Sequence, residues 1–157
     1  MPVGGTDAAR VMDDLRRLVR VLRIGSSEIQ RSTGISSAQL FTLRQISRRN
    51  GQSLSDLAAS TLTTQSSISE VVSKLVKRGL AIRESSPDDR RRAELRVSAA
   101  GYQVLEMAPE TPQEKLLAGL ISMGAARRRD LAEGLEEWLK ASGVHNLPPS
   151  MFFESEV

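Results

Sequence analysis

With 157 residues, 39% of them hydrophobic, and a net charge of +3, the chain has the size of one domain with its own core. It contains no cysteine and one histidine, His145, which excludes disulfides, thiolate metal sites, thiol redox sensing and a histidine-based catalytic pair. Because no apolar run approaches a membrane span and residues 1–17 lack a signal-peptide core, we expect a cytoplasmic protein.

The first predicted element is a long helix from Asp7 to about Ile29. Little chain precedes this helix, so its apolar stripe needs cover from the C-terminal helices or from a second subunit. Its apolar residues recur at spacings of four, three, four and seven, as one stripe of a helix requires: Val11, Leu15, Leu18, Leu22 and Ile29.

Two short helices are expected next, because Ser36 and Ser53 each stand three residues before a side chain that completes a capping box, Gln39 and Asp56. A turn over residues 60–63 then leads to a further helix, capped by Thr63 or Thr64. The predicted buried side of that helix is Ile68, Val71, Val72, Leu75 and Val76, and Gly79 ends it.

Period-two alternation after Gly79 predicts a β-hairpin. Leu80 and Ile82 are expected to share one face of its first strand, and Leu95 and Val97 to share one face of its second. The polar tip between the strands contains Pro87, two aspartates and three consecutive arginines. A helix-turn-helix followed by a basic hairpin predicts a winged helix that binds DNA.

The C-terminal third is predicted to be helical with interruptions. Ser98 caps a helix that Pro109 and Pro112 interrupt. Apolar faces follow within residues 116–121 and, after a break near Gly124, within residues 131–139. From Ser142 onward we expect a tail with an apolar docking patch at Met151, Phe152 and Phe153.

The helix after Thr63 carries the first set of candidate functional residues. Short hydroxyls and amides at the start of a recognition helix reach base edges and phosphates, and serine is a poor helix former on a merely solvated surface. A solvated helix face is the alternative interpretation. The candidates for the major groove are Thr64, Gln65, Ser66, Ser67, Ser69, Glu70, Ser73 and Lys74.

The hairpin tip carries the second set. Guanidinium groups on a rigid projection suit phosphates and the narrow, negative minor groove, and Asp89 is expected to orient Arg91 through a charged hydrogen bond. A basic loop that serves solubility is the alternative. The wing candidates are Asp89, Arg90, Arg91 and Arg92.

The distribution of charge agrees with a DNA-binding end. Residues 1–59 carry nine basic and five acidic side chains, residues 60–101 carry eight and five, and residues 102–157 carry five and nine. Such polarity suits a protein that presents one end to a polyanion. Ordinary solvated helix charge is the alternative.

Three motifs in a fixed order carry a family resemblance: Lys77-Arg78-Gly79-Leu80, then Asp89-Arg90-Arg91, then Ser98-Ala99-Ala100-Gly101. This order resembles the MarR (multiple antibiotic resistance regulator) family of winged helix-turn-helix transcription factors. Thr61 stands where the family often has glycine, and Pro109 and Pro112 interrupt a helix that is usually long.

The resemblance implies a mainly α fold with a small β wing and a homodimer joined by the N- and C-terminal helices. It implies that Arg91, supported by Asp89, enters the minor groove, and that Gln65, Ser66, Ser67 and Ser69 face the major groove. It also implies release by a small-molecule effector, although the sequence contains few aromatic residues to hold one. The peroxide-sensing branch needs a cysteine and is excluded.

We therefore predict a homodimeric repressor that binds a pseudo-palindromic operator, with a winged-helix protein-interaction module as the alternative. With no nucleophile–base pair and no Gly-rich phosphate loop, we expect no enzyme, and no cofactor or metal site. The chain is predicted to be a single domain made of an N-terminal dimerisation helix (1–35), a DNA-binding lobe (36–100), C-terminal dimerisation helices (101–145) and a tail (146–157). Residues 36–100 are called the winged lobe below.

Overall fold

The computed structural model describes residues 6–153, so the first five residues of the N-terminal segment and the last four of the tail lie outside the described residues. Over this range the expected mainly α fold with a small β wing is confirmed. The elements in chain order are α1 (Asp7–Thr33), α2 (Ser37–Arg48), α3 (Leu54–Ser60), α4 (Gln65–Lys77), β1 (Ala81–Ser85), β2 (Ala93–Val97), α5 (Ala99–Met107), α6 (Pro112–Ser122) and α7 (Ala125–Ala141).

Helix α1 is the long helix that the apolar spacing predicts, and it continues past Ile29. Gly34 ends it in the left-handed conformation, with φ of 72°, which a residue without a Cβ adopts at little cost. Only the C-terminal part of the stripe is buried, at Leu22 and Ile29. The remaining stripe residues, Val11, Leu15 and Leu18, are 36–48% exposed.

Serine caps begin α2 and α3, as predicted. Ser36 Oγ accepts a hydrogen bond from the Gln39 backbone N–H at 3.1 Å, but the box is only half formed because the Gln39 side chain is buried and does not return to Ser36. The box at α3 is complete: Ser53 Oγ accepts from the Asp56 N–H at 3.1 Å, and Asp56 Oδ2 accepts from the Ser53 N–H at 3.2 Å.

The hydrophobic core lies where α2, α3, α4 and the hairpin meet. Helix α2 is buried over most of its length, and Phe41 is the largest of its fully buried side chains. The inward residues predicted on α4 join it, which confirms that stripe except at Val76. The shared core includes Leu40, Phe41, Leu43, Ile46, Leu57, Ala58, Ile68, Val71, Val72, Leu75, Leu95 and Val97.

Two apolar residues depart from the faces predicted for them: Val76 from the buried side of α4, and Ile82 from the face it was expected to share with the buried Leu80. Val76 is 37% exposed because eight helical positions after Ile68 rotate it by about 80° away from the buried face. Ile82 is 39% exposed because it pairs with Arg96 across the antiparallel ladder, and directly paired residues share a face. Ala81, which pairs with the buried Val97, faces the core in its place.

The interruption predicted at the prolines is present: α5 ends at Met107, and α6 begins with Pro112 in its first turn. A buried ion pair joins this junction to α2. Arg44 Nη1 donates to Glu114 Oε2 at 2.5 Å, and Arg44 Nη2 donates to the Pro109 carbonyl at 3.0 Å. The Glu114 side chain is only 6% exposed, so the pair fixes the start of α6 against the winged lobe.

Helix α7 begins after the break predicted near Gly124, and its residues are exposed or half-buried throughout. Its apolar residues include Leu131, Leu135, Trp138 and Leu139. Residues Ala8, Val11 and Met12 of α1 line a groove together with Leu131 and Trp138 of α7. None of the described helices is both long enough and apolar enough to cross a membrane.

Candidate nucleic-acid interface

The turn before α4 is shaped by Thr61 and Leu62. Thr61 is buried and keeps right-handed backbone angles, while its hydroxyl donates to the Leu57 carbonyl at 2.8 Å. Leu62 takes the left-handed conformation instead, with φ of 53°. Thr61 therefore leaves a tight turn intact although the family often has glycine there, because Leu62 is the residue that takes the left-handed conformation.

Thr64 is the N-cap of α4, one of the two positions predicted for it. Thr64 Oγ1 accepts a hydrogen bond from the Ser67 backbone N–H at 3.2 Å. The backbone N–H groups of the first turn and the positive end of the helix dipole make such a start favourable for a phosphate.

The polar candidates on α4 divide into an outer stripe and two flanks. Ser66, Glu70 and Ser73 are exposed and lie opposite the buried face, at helical spacings of four and three. Gln65 and Ser69 lie on one flank, and Ser67 and Lys74 on the other. Lys77 is also exposed and continues the outer stripe four residues after Ser73. Helical spacing predicts this position, but Lys77 is not among the major-groove candidates named from the sequence.

Charge on α4 is partly paired. Glu70 Oε1 lies 3.7 Å from Lys74 Nζ in an i,i+4 ion pair on the helix surface. Exposed pairs of this kind are weak, because water screens the charges and two long side chains lose freedom. This pairing is therefore a weak constraint on the Glu70 side chain.

Ser67 differs from the other serines of α4, because the tail occupies its hydroxyl. Ser67 Oγ donates to the Pro149 carbonyl at 3.2 Å and accepts from the Thr64 hydroxyl at 3.0 Å. A hydroxyl has a single hydrogen, so in this arrangement Ser67 has no donor left for a base.

Local hydrogen bonds make the hairpin tip compact. Ser86 is buried, and its backbone N–H donates to the Arg92 carbonyl at 2.7 Å. Asp89 Oδ1 accepts from the backbone N–H of Arg91 at 2.9 Å. The predicted hydrogen bond between Asp89 and Arg91 is present, and its donor is the backbone N–H: an aspartate at this spacing reaches the N–H two residues on, and it positions the Arg91 backbone.

The three arginines of the tip differ in their surroundings. Arg90 and Arg91 are exposed at the end of the hairpin. Arg92 points back to the lobe, where its Nη2 donates to Asp56 Oδ2 at 2.8 Å. Hydrogen bonds from Ser53, with the nearby charge of Arg92, lower the pKa of Asp56. Arg90 and Arg91 therefore point outward, whereas Arg92 holds the wing against α3.

Two polar residues after α2, which the sequence analysis missed, hold the hairpin in place. Asn50 Oδ1 accepts from the Val97 backbone N–H at 2.9 Å, and its amide donates to the Tyr102 hydroxyl at 2.6 Å. Gln52 forms an isolated bridge with Leu95. The partners of Asn50 and Gln52 in the hairpin and α5 lie more than forty residues away in the sequence, so no local pattern predicts these contacts.

Known proteins resemble this chain in sequence and in fold. Residues 33–92 match the model of the MarR family. A putative transcriptional regulatory protein for the hcr operon of Thauera aromatica is 34% identical over 104 residues, which are 66% of this chain and 63% of that protein. The chain therefore spans less than two thirds of the length of this relative.

Solved structures share the fold. FabT of Streptococcus pneumoniae, crystallised in complex with DNA, superposes with a TM-score of 0.57 at 17% identity, over 87% of this chain and 98% of that one. The crystal structure of MarR superposes with a TM-score of 0.51 at 22% identity, over 85% and 97%. The family model covers the helix-turn-helix and most of the wing, and the shared fold extends to the helices on either side. Over residues 33–92 this chain is therefore similar to MarR-family transcriptional regulators, and its fold is the one that those solved structures share.

Proposed function

We propose that the chain is a sequence-specific DNA-binding regulator that acts as a homodimeric repressor on a pseudo-palindromic operator. One observation carries this proposal: an exposed polar face at the start of α4 accompanies a hairpin whose outward side chains are Arg90 and Arg91. Base edges and phosphates are recognised by these two side-chain types. The crystallisation of FabT with DNA supports the same use of the fold.

In the proposed complex, α4 enters the major groove by its first turns. Gln65, Ser66 and Ser69 face base edges there, and Thr64, Glu70, Ser73 and Lys74 border them. Arg91 enters the minor groove and Arg90 contacts a phosphate, while Arg92 keeps the wing on α3 through Asp56. Two-fold symmetry would set the two α4 helices about 34–36 Å apart, one turn of the duplex.

The exposed apolar residues of α1 and α7 support the homodimer. Val11 and Met12 of α1 and Leu131, Leu135 and Trp138 of α7 line a groove of about 540 Å³. Monomers seldom leave such continuous apolar surface in water, whereas C2 dimers bury it against the same surface of a second copy. The finer proposal that a small-molecule effector releases the repressor rests on the family resemblance alone.

The wing assignment is tested with Arg91→Ala, titrated against a duplex selected from a random pool at several salt concentrations. We expect binding to weaken for all sequences alike and the salt slope to fall by about one, because one phosphate-type contact is lost. Arg10→Ala is the matched control: it removes the same charge from the exposed N-terminal turn of α1, about 28 Å along that helix from Ile29.

An unchanged salt slope in Arg91→Ala would contradict the wing assignment. Absence of salt-dependent binding by the unsubstituted protein to any duplex would contradict DNA binding itself and favour a winged-helix module that docks a partner protein.

A further inference from the structure

The C-terminal segment, residues 143–153, turns back from α7 onto the winged lobe. Gly143 follows the end of α7 with φ of 72°, and the segment then contacts α4 at Ser67 through the Pro149 carbonyl. Phe153 lines a small hollow together with Arg23, Ser26 and Ser27 of α1. The segment therefore contacts both the first turn of α4 and the C-terminal half of α1.

Met151 is the one buried side chain among residues 143–153. Met151 is 5% exposed and belongs to the core cluster that contains Ile68 and Val71 of α4. Its neighbours Ser150 and Phe152 are both exposed. One flexible, unbranched side chain inserted at the edge of a core is a limited attachment, and residues on either side of it remain in contact with water. Such an attachment suits a contact that opens and closes.

The docked position conflicts with a helix lying in the major groove. The groove is about 12 Å wide, and an α-helix with its side chains is about 10–12 Å across. A helix alone therefore fills the groove, which leaves no width for a second chain against its first turn. Pro149 lies at hydrogen-bond distance from Ser67 in that first turn, and it also takes the only hydrogen of the Ser67 hydroxyl.

We infer that the C-terminal segment is an internal competitor for the DNA-binding face of α4, an inference that rests on the DNA binding proposed above. With Met151 docked, the segment lies against Ser67, on one flank of α4. With Met151 released, that flank and the Ser67 hydroxyl become available to DNA. The apparent affinity for DNA is then the intrinsic affinity multiplied by the fraction of molecules in which the segment is released.

The first test compares two full-length variants, Met151→Ser and Phe152→Ser, in a binding titration with a duplex selected from a random pool. Met151→Ser removes the anchor, and Phe152→Ser makes the same kind of change at the exposed neighbour. If the segment is docked in nine molecules of ten, Met151→Ser should bind about tenfold more tightly than the unsubstituted protein. Phe152→Ser should bind like the unsubstituted protein.

Equal or weaker binding by a folded Met151→Ser, judged by circular dichroism and thermal unfolding, would overturn the inference. The same result would leave the proposed function standing, because the unsubstituted protein would still bind DNA in a salt-dependent way. Absence of binding by all three proteins would count against the proposed function and, with it, against the inference.

A second test does not depend on the stability of the Met151 variant. The natural chain has no cysteine, so Ser27→Cys with Phe153→Cys introduces a unique pair on the two walls of the hollow. A short thiol-specific cross-linker would hold the segment in its docked position. We expect the cross-linked protein to bind the duplex at least about tenfold more weakly than the same protein untreated. Equal binding by the two forms would refute the competition.

Discussion

Helix α2 of the winged lobe buries nine of its twelve residues, whereas none of the seventeen residues of α7 is buried. Both helices carry an apolar stripe with helical spacing. The difference lies in the neighbours: α2 is enclosed by α1, α4, β2 and α5, while the stripe of α7 contributes to an open groove beside α1. An apolar stripe thus predicts that a face needs cover, but not whether the same chain supplies it.

The largest expected effect is on the lobe core. Phe41→Ala should lower the free energy of unfolding by about 3–5 kcal/mol, because it removes a fully buried aromatic ring and leaves a cavity. Phe152→Ala, at an exposed phenylalanine, should change it by no more than about 0.5 kcal/mol. Urea unfolding followed by circular dichroism measures both, and equal losses would refute the contrast between a closed lobe and exposed outer segments.

The next effect tests the junction of the two regions. Glu114→Gln should cost about 2–3 kcal/mol, because the mostly buried Arg44 loses its counter-charge and keeps only carbonyl partners. Glu110→Gln, which affects an exposed pair with Lys115 at 3.8 Å, should cost less than about 1 kcal/mol. The measurement is again urea unfolding. If the two variants lose the same stability, the buried pair does not fix α6 to the lobe.

A third prediction concerns the exposed face of α7. Leu135→Glu should weaken the proposed self-association at least about tenfold, equivalent to about 1.4 kcal/mol, because it places a charge in the apolar groove that the proposed dimer would bury. Arg129→Glu changes charge about 120° around the same helix from Leu135, at a residue that does not line the groove, and should leave association unchanged. Sedimentation velocity over a range of concentrations distinguishes them. A Leu135→Glu protein that remains dimeric would show that α7 does not form the dimer.

The smallest effect is expected at the contact between the wing and α3. Asp56→Asn should lower the midpoint of thermal unfolding by less than Glu114→Gln does, because Asp56 is near the surface. The lowered pKa of Asp56 means that its carboxylate stabilises the fold at neutral pH and that this stabilisation is lost as the pH falls through the lowered value. The difference between variant and unsubstituted protein should therefore disappear in acid. A difference that persists there would show that the stabilisation does not come from the charged carboxylate, which accepts hydrogen bonds from Ser53 and Arg92.

Sequence patterns predicted what depends on near neighbours along the chain. The serine caps, the α4 N-cap, the stripe of α4 up to Leu75 and the proline break between α5 and α6 all follow from contacts within one turn of a helix. The sequence patterns failed where a residue distant in the sequence determines which way a side chain points. The face of Ile82 depends on pairing with Arg96, and the direction of Arg92 depends on Asp56.

By itself, the sequence determined the order of the elements, the family resemblance and the residue types at the start of α4 and at the hairpin tip, because periodicity, caps and motifs are local properties. Only the tertiary structure decided that Arg44 meets Glu114, seventy residues away, and that Met151 returns to the lobe to place Pro149 against Ser67. Such contacts form between segments that meet only after the chain has folded, so their residues carry no pattern relative to their own neighbours.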